Sequence, residues 1–271
     1  MWRTLPRTHV RGYGADVPIH HGVRIRPNLR VARIGVDFAG RTRDRPSVPP
    51  VVSESCAVVP CLDEAATIGG VVRGALQHIP VVVVVDDGSR DGTGAAAQDA
   101  GAIVVRHEVP LGKGAALASG WERAAALGAV WVMMLDGDGQ HAAEDIPAFF
   151  DAVGSNGARL VIGDRMGSAR AMPWVRRATN RWLSARLSAL AGVELPDSQC
   201  GFRLAHLPTL RGLGLRSIRY EIESEMAVAF ARAGHRVASV PVQMRYGSER
   251  SKISPVRDSL RWWRWYRSVA R

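Results

Sequence analysis

Lysine is nearly absent from the sequence, which contains Lys113 and Lys252 but 34 arginines. Because arginine is used so widely along the chain, its abundance alone does not predict a binding site. The three cysteines, Cys56, Cys61 and Cys200, lack the spacing of metal ligands and are too few for a disulfide framework. We therefore expect free thiols in a reducing compartment.

Long apolar segments are also lacking. No apolar run approaches the roughly 20 residues that a bilayer span requires, and the N-terminus has no signal-peptide core. We expect a protein that is made and kept in the cytoplasm. Its 271 residues, of which 46% are hydrophobic, suffice for one large domain or two small ones.

Positive charge concentrates at the two ends of the chain, whose overall formal charge is +11. Residues 1–50 contain ten arginines and three aspartates, a net charge of +7, and residues 249–271 carry a net charge of +5. The segment between them has a net charge of −1. Two basic ends around a near-neutral body indicate an anionic partner at the ends, either a phospholipid surface or a nucleic acid.

Composition divides the chain into three parts. Residues 1–50 are rich in Arg, Gly and Pro without an apolar period, which predicts a disordered or loosely attached basic leader. Residues 51–248 have the pattern of a folded domain. In residues 249–271, tryptophans and Tyr266 alternate with arginines, which predicts a basic, aromatic tail or helix at a membrane interface.

Strands and helices alternate along residues 51–248. The five valines of Val81–Val85 predict a strand buried on both faces. Further strands are predicted near residues 55–60, 103–105, 130–135, 160–163 and 236–245. Helices are predicted between them, including residues 65–77, 173–192 and 220–233. This alternation predicts an α/β fold with a parallel central sheet.

Two acidic clusters follow predicted strands. Asp86-Asp87-Gly88-Ser89 comes after the valine strand, and Asp136-Gly137-Asp138-Gly139-Gln140-His141 comes after the strand at 130–135. Because the carboxyl ends of parallel strands share one edge of the sheet, we expect all four carboxylates in one crevice. Carboxylates completed by substrate phosphates suit Mg²⁺ or Mn²⁺. Ordinary turns are the alternative for either cluster alone.

The segment Gly112-Lys113-Gly114 opens the helix that precedes residue 127. Its glycines would leave backbone N–H groups at the helix start, where a phosphate could dock. The same residues also occur in ordinary loops, so the pattern gains its interest from its place beside the predicted crevice.

Several motifs, in this order, resemble the family 2 glycosyltransferases, in the branch of polyprenyl-phosphate (dolichyl-phosphate) mannose and glucose synthases. They are Pro60-x-x-Asp63-Glu64, Asp86-Asp87-Gly88-Ser89-x-Asp91-Gly92-Thr93, Gly112-Lys113-Gly114, Asp136-Gly137-Asp138-Gly139-Gln140-His141, Gly163-x-Arg165 and Asp197-x-Gln199-Cys200-Gly201-Phe202-Arg203. The resemblance covers about residues 55–255. It implies the GT-A fold over residues 51–248, a nucleotide-binding α/β domain with a mostly parallel sheet flanked by helices. Asp63 and Asp164 depart from the Asn and Ser that the family usually has.

The resemblance implies a binding site for a nucleotide sugar. Its nucleoside pocket would be lined by Pro60, Leu62, Glu64, Val85 and Asp87, with Asp87 accepting a hydrogen bond from the base. The other implied donor-binding residues are Gly112, Lys113, Asp136, Gly137, Arg165 and Lys252. Lys252 belongs to a stretch, residues 246–252, that resembles the family's loop over the donor diphosphate.

A metal site and candidate catalytic residues are also implied by the resemblance. Asp136, Asp138 and Gln140 would hold Mg²⁺ or Mn²⁺ at the donor diphosphate. The candidate catalytic residues are Asp138, Arg165, Arg203 and Glu223. The two arginines follow strand-like segments and could contact phosphates bidentately, or they are surface arginines. We expect Glu223 and Glu225 to position basic groups, because a lipid phosphate is already ionised and needs little deprotonation.

The implied reaction is an inverting transfer of mannose or glucose from a GDP- or UDP-linked donor to polyprenyl phosphate. We expect it at the cytoplasmic face of the cell membrane, with the protein bound peripherally. Tryptophans and arginines in the predicted helix 173–192 suit such an interface, and packing against its own domain is the alternative. The resemblance leaves room for a membrane-protein partner.

Three other functions remain open from sequence. A family 2 enzyme could use a saccharide or phosphoglycerate acceptor instead of a lipid. A catalytically inactive homologue would keep the motifs without the reaction. A basic nucleic-acid-binding protein would explain the charged ends but gives the acidic clusters no purpose, so we expect no nucleic-acid partner.

Overall fold

The computed structural model describes residues 50–167, 174–245 and 255–270. Residues 1–49 of the predicted leader therefore lie outside the described residues, as does the predicted loop at 246–252 with Lys252. The described part contains one mixed sheet and helices on both of its faces.

Seven strands form this sheet. Their bounds are β1 Ser55–Cys61, β2 Val81–Asp86, β3 Ile103–Arg106, β4 Trp131–Met134, β5 Leu160–Asp164, β6 Arg203–His206 and β7 Val237–Pro241. Their order in the sheet is β3-β2-β1-β4-β6-β5-β7. β6 runs antiparallel to both of its neighbours, and the other neighbouring pairs are parallel. The predicted α/β fold with a mostly parallel sheet is confirmed.

Helices connect the strands. They are α1 Pro50–Ser53, α2 Ala65–Leu76, α3 Thr93–Asp99, α4 Lys113–Ala126, α5 Ile146–Asn156 with a 3-10 turn Ala143–Asp145 before it, α6 Trp174–Ala191, α7 Leu207–Gly212, α8 Glu221–Arg232 and α9 Pro255–Val269. The predicted helices are present within a few residues of their expected ends. The strand β7 is shorter than predicted, and α1, β6 and α7 were not predicted.

The core lies between the sheet and the helices that cover it. Each residue of β2 is buried, as expected for a valine run with both faces covered. Helix α4 packs closely on β1 because Gly120 has no side chain. A Cβ at Gly120 would collide with Val58 Cγ1 and lie 3.2 Å from Val85 Cγ2.

The strand register brings the two acidic clusters to one edge. β1 lies between β2 and β4, with Cys61 beside Asp86 and Val58 beside Met134. The chain segments that leave β1, β2 and β4 therefore open on the same side of the sheet. This edge holds the candidate site.

An aromatic cluster joins α6 to α9. Its members are Trp182, Trp262, Trp263 and Tyr266, with ring centroids 6.0 Å apart for Trp182 and Trp262 and 5.1 Å apart for Trp262 and Tyr266. The buried Trp262 also donates from Nε1 to Ser224 Oγ on α8, at 2.9 Å. Trp174 is 74% exposed, Trp182 46% and Trp263 43%.

Within the described ranges, no helix has the length and apolarity needed to cross a membrane.

Candidate active site

A cleft of about 700 Å³ opens at the carboxyl edge of β1, β2 and β4. Many of the predicted site residues line it, namely Pro60, Leu62, Glu64, Asp87, Gly112, Lys113, Asp136, Gly137, Asp138, Gln140, Arg165 and Glu223. Residues separated by more than 160 positions in the chain thus share one cavity.

Lys113 occupies the centre of the charge arrangement in this cleft. Its Nζ lies 2.6 Å from Asp136 Oδ1 and 2.6 Å from Glu223 Oε1, and its side chain is 15% exposed. Burial alone would lower the pKa of Lys113, but the two carboxylates raise it above its usual value. Burial alone would raise the pKa of Asp136, yet the ammonium holds that pKa well below its usual range. Lys113 is therefore positively charged and lies between the carboxylates of Asp136 and Glu223.

Asp138 is held in the loop after β4 by local contacts. Its Oδ1 accepts a hydrogen bond from the Gln140 N–H at 3.0 Å, and Thr67 Oγ1 donates to the Gly137 carbonyl at 2.7 Å. Gly137 must lack a side chain because a Cβ there would collide with Cys61 Sγ. Burial, followed by the charge of Asp136 and then that of Glu64, raises the pKa of Asp138 to about 6.

These features fit a divalent cation. A raised pKa at Asp138 reports negative charges crowded into a low-dielectric place, which a cation would relieve. Among the described residues, no group of three or more His, Cys, Asp or Glu side chains is arranged to hold a metal. Mg²⁺ is commonly held by one or two carboxylates together with substrate phosphates. The donor set of Asp136 and Asp138 matches that kind of shared site.

His141, the last residue of the second acidic cluster, lies in the cleft wall, and the sequence did not indicate a role for it. The Asp136 N–H donates to its Nδ1 at 3.2 Å, and its ring stacks on Phe202 with centroids 4.9 Å apart. Burial lowers the pKa of His141 to about 4, so the ring is neutral at pH 7. The neutral ring then carries its proton on Nε2, 3.8 Å from Asp136 Oδ2. Its burial was not visible in the sequence.

Arg165 lines the cleft, but its guanidinium is already paired. Nε lies 2.6 Å from Asp197 Oδ2 and Nη2 lies 2.8 Å from Asp197 Oδ1, a bidentate ion pair. Asp197 is 1% exposed. The predicted bidentate contact is therefore made with a buried carboxylate of the same chain. Asp197 begins the last of the sequence motifs, and its ion pair fixes Arg165 in the wall of the cleft.

Arg203 and Val85 do not line the cleft, so the prediction that they belong to the site is wrong for these two residues. Arg203 begins β6 instead of following a strand, and it is 1% exposed. Its guanidinium donates to backbone carbonyls, including those of Cys200 at 2.7 Å and Ser198 at 2.6 Å. It braces the segment before β6. Val85 is fully buried under α4, so it supports the cleft floor without lining it.

The expectation that four carboxylates lie together in the cleft is wrong, because Asp86 does not line it. Successive strand residues point to opposite faces, and Asp86 lies on the face away from the cleft. Its Oδ1 accepts from the Ser89 N–H at 2.8 Å, its Oδ2 lies 3.2 Å from Arg106 Nη1, and a Cβ on Gly94 of α3 would lie 2.7 Å from Oδ2. The carboxylates of the two clusters that line the cleft are those of Asp87, Asp136 and Asp138.

Asp87 holds the loop that precedes α4. Its Oδ1 accepts from the Leu111 N–H at 2.9 Å and lies 2.6 Å from His107 Nδ1, while Oδ2 accepts from the Gly112 N–H at 2.8 Å. Burial acts to raise the pKa of Asp87, but these hydrogen bonds lower it. A carboxylate oxygen accepts two hydrogen bonds, so Oδ2 keeps capacity for a ligand.

Two of the N–H groups at the start of α4, where the glycine pattern predicted a phosphate, are already paired. The Gly112 N–H donates to Asp87, and the Ala115 N–H donates to the Ile218 carbonyl at 3.2 Å. A Cβ on Gly112 would lie 2.7 Å from the same carbonyl oxygen, and one on Gly114 would collide with the Ser217 carbonyl. The glycines admit residues 217–218 over the helix start. Phosphate docking at the amides of Gly112 and Ala115 would therefore have to displace existing hydrogen bonds, and docking at the amides of Lys113 and Gly114 stays a prediction.

The motif from Asp86 to Thr93 also braces the loop after β1. Ser89 Oγ accepts from the Asp63 N–H at 2.9 Å, and Thr93 Oγ1 accepts from the Glu64 N–H at 2.8 Å. Asp63 has a φ of 52°, a conformation in which Asp and Asn are both enriched. This backbone requirement explains why Asp stands at position 63 without disturbing the loop.

Glu225 was expected to position a basic group, but it holds backbone instead. Its Oε1 accepts from the Arg216 N–H at 3.0 Å and its Oε2 from the Ser217 N–H at 2.7 Å.

Three arginines that the sequence did not single out for the site also line the cleft: Arg176, Arg219 and Arg261. Arg176 and Arg261 belong to α6 and α9, the helices with exposed tryptophans.

The sequence profile described as Glycosyl transferase family 2 matches residues 56–208, which carry both acidic clusters. The chain belongs to glycosyl transferase family 2. The matched segment of this glycosyltransferase begins in β1 and ends just after β6, so it includes the cleft-lining ends of β1, β2 and β4.

The proteins to which this family 2 glycosyltransferase is similar have names that differ in the acceptor they state. It is 33% identical over 214 residues to glycosyltransferase AglJ of Haloferax volcanii, covering 77% of this chain and 69% of that protein. It is 28% identical over 238 residues to polyprenol monophosphomannose synthase of Mycolicibacterium smegmatis, covering 82% and 89%. A solved structure of glucosyl-3-phosphoglycerate synthase from Mycobacterium tuberculosis, with Mn²⁺, UDP-glucose and phosphoglyceric acid, has a TM-score of 0.59 and 26% identity over 81% of this chain and 80% of that one.

Proposed function

We propose that this glycosyltransferase moves one hexose, mannose or glucose, from a nucleotide sugar to polyprenyl phosphate. The observation that carries the lipid acceptor is the placement of exposed tryptophans on α6 and α9, which also supply Arg176 and Arg261 to the cleft wall. Apolar aromatic groups beside arginines suit the boundary between lipid headgroups and acyl chains. The name of the mycolicibacterial relative supports the same acceptor.

The proposed reaction is a single displacement at the anomeric carbon. An oxygen of the acceptor phosphate forms a bond to that carbon as the bond to the donor's β-phosphate oxygen breaks, which inverts the configuration. The electron pair of the broken bond leaves with the nucleoside diphosphate. Since the acceptor phosphate is ionised at neutral pH, no side chain has to remove a proton from it.

Different residues along the cleft would bind the nucleoside, the diphosphate and the acceptor phosphate. Pro60, Leu62, Glu64 and Asp87 would hold the nucleoside, and Lys113 would face the donor's charged half. Asp136 and Asp138, with Gln140 beside them, would hold Mg²⁺ or Mn²⁺, which neutralises charge on the departing diphosphate when bound. Arg165, oriented by Asp197, and Arg176 would favour the anionic acceptor.

Membrane attachment follows from the same proposal. We propose that the enzyme binds peripherally to the cytoplasmic face of the membrane through α6 and α9, where nucleotide sugars and lipid meet. Lys252 and the loop at 246–252 are proposed to contact the donor diphosphate on the basis of the family resemblance alone.

Product partitioning tests the acceptor. The enzyme is incubated with radiolabelled GDP-mannose or UDP-glucose, polyprenyl phosphate and Mn²⁺, and the label is then extracted with organic solvent. Label in the organic phase supports the proposal. If the label stays in water and transfer occurs only with phosphoglycerate, the lipid acceptor is wrong and the reaction resembles that of the mycobacterial synthase.

Substitution of Asp138 tests the proposed metal site. Asp138→Ala should lower transfer at least about 100-fold, because charge on the leaving group loses its compensation. It should also weaken Mn²⁺ binding, measured by electron paramagnetic resonance in the presence of nucleoside diphosphate. Transfer and Mn²⁺ binding equal to those of the wild type would contradict this assignment.

A further inference from the structure

A second cavity, of about 420 Å³, lies beside the cleft between residues 216–219 and α9. Its wall contains Arg216, Arg219 and Arg261 and one acidic residue, Glu221. Positive charge therefore exceeds negative charge by two in a cavity of limited size. Trp265 forms part of the same wall.

The wall of this cavity is held by backbone hydrogen bonds on one side and by an ion pair of Arg261 on the other. Glu225 accepts the backbone N–H groups of Arg216 and Ser217, so the segment is held through its backbone. Arg261 Nη1 lies 3.2 Å from Asp258 Oδ1, a contact that orients its guanidinium. Arginine recognises phosphate oxygens through paired hydrogen bonds, so a wall that contains three arginines suits a phosphate.

Apolar side chains stand next to these arginines. Ile218 is 59% exposed in the segment itself, and Leu260 is 53% exposed on α9. A phospholipid presents the complementary order, a phosphate followed by apolar chains. We infer that this cavity binds the phosphodiester headgroup of an anionic membrane phospholipid such as phosphatidylglycerol. The inference rests on the proposed membrane attachment. Arg219 and Arg261 also line the cleft, whereas Arg216 lines this cavity and not the cleft, so Arg216 distinguishes the two sites.

The bound headgroup would act on the cleft through the start of α4. Residues 217–218 cover that start, with the Ile218 carbonyl accepting from the Ala115 N–H and lying against Gly112. Lys113 lies between these two contacts and reaches Asp136 and Glu223. A lipid that stabilises the segment therefore stabilises the position of Lys113. The phospholipid is an activator of the enzyme on the membrane and is not consumed.

Calorimetric titration of the full chain with a soluble, short-chain phosphatidylglycerol below its micelle concentration tests the site. Arg216→Gln should weaken binding about tenfold, the effect of losing a charge-assisted hydrogen bond. Arg216→Lys, which keeps the charge without the fork, should bind with intermediate affinity. Arg232→Gln, which removes an exposed arginine from the far end of α8, is the matched control and should bind as the wild type does.

Two further ligands distinguish the source of the phosphate. Inorganic phosphate should bind much more weakly than phosphatidylglycerol, and a short prenyl phosphate should not displace it. Equal affinity for inorganic phosphate, displacement by prenyl phosphate, or wild-type affinity in Arg216→Gln would each overturn the inference. These measurements need no sugar transfer, so they can succeed or fail independently of the proposed reaction.

Hydrogen exchange tests the link to α4. Phosphatidylglycerol should slow amide exchange in the peptide that contains Gly112–Ala116, and it should do so in Arg232→Gln but not in Arg216→Gln. Unchanged exchange in the wild type at saturating lipid would refute the proposed action on Lys113.

Discussion

Lys113 contacts two carboxylates with one ammonium group. An ammonium is a compact charge with three donors, whereas arginine carries a wide planar fork that fits one carboxylate at a time. With both contacts at 2.6 Å, the site has little room for a larger cation. The chain uses lysine here although arginine replaces it almost everywhere else.

Removing the ammonium should damage both stability and transfer. Lys113→Met leaves Asp136 and Glu223 without their shared partner, so we expect the free energy of unfolding to fall by about 2–3 kcal/mol. Transfer should fall at least about 100-fold. Adding Glu223→Gln should restore part of the stability, measured by urea unfolding, without restoring transfer. Recovery of transfer in the double variant would show that Lys113 only balances charge.

Asp87 should contribute stability that depends on pH. Its folded-state pKa is depressed, so its contribution is complete above the unfolded pKa of about 3.9 and is lost as the pH falls further. Asp87→Asn should therefore lower the free energy of unfolding by about 2 kcal/mol at pH 7. The gap between the two proteins should narrow below about pH 4. A gap that stays constant in acid, in urea titrations at several pH values, would contradict this role.

At this scale the sequence predicted which residues gather, but not what each one contacts. The sequence placed Lys113, Asp136 and Asp138 beside one cleft, because residues that follow neighbouring parallel strands lie at the same edge of the sheet. It could not show that Asp197 occupies the guanidinium of Arg165, or that Arg203 faces backbone carbonyls. Such partners come from segments distant in sequence, and only packing selects them.

Among the elements, α4 depends on close packing against β1. Gly120→Ala should force a shift against Val58 and lower the free energy of unfolding by about 1–3 kcal/mol. Gly154→Ala in α5 is the matched control, since a Cβ there meets no atom within 4 Å. The control should be neutral or gain up to roughly 1 kcal/mol from helix propensity. Equal urea midpoints for the two variants would refute the packing argument.

Most strands and helices were predictable, and the elements that were missed, α1, β6 and α7, are all short. The continuous valine run of β2 indicates a strand buried on both faces, and apolar residues recur at helical spacing in α2, α4 and α8. β6 has four residues and runs opposite to its neighbours, and its sequence, Arg203–His206, carries no alternation to indicate a strand. Its pairing with β4 and β5 is a tertiary preference that overrides weak local propensity.

For the molecule as a whole, the exposed tryptophans should control attachment to lipid. Trp174→Ser should reduce co-sedimentation with vesicles of phosphatidylcholine and phosphatidylglycerol severalfold, with an unchanged melting temperature, because the ring is exposed. Val109→Ser removes an apolar group that is 59% exposed and lies on neither α6 nor α9, so it serves as the control. Equal losses in both variants would mean that attachment is unspecific.

The strand order also sets a length. The ends of β2 and β4 are separated by β1, and neighbouring strands lie about 4.8 Å apart, so Asp87 and the Asp136–Asp138 loop are anchored on strands about 10 Å apart. A ligand that contacts both must span that gap. A free base or a free sugar is shorter than this gap, so a ligand that contacts both anchors has to join a group at Asp87 to a group at the Asp136–Asp138 loop, as a nucleotide sugar would.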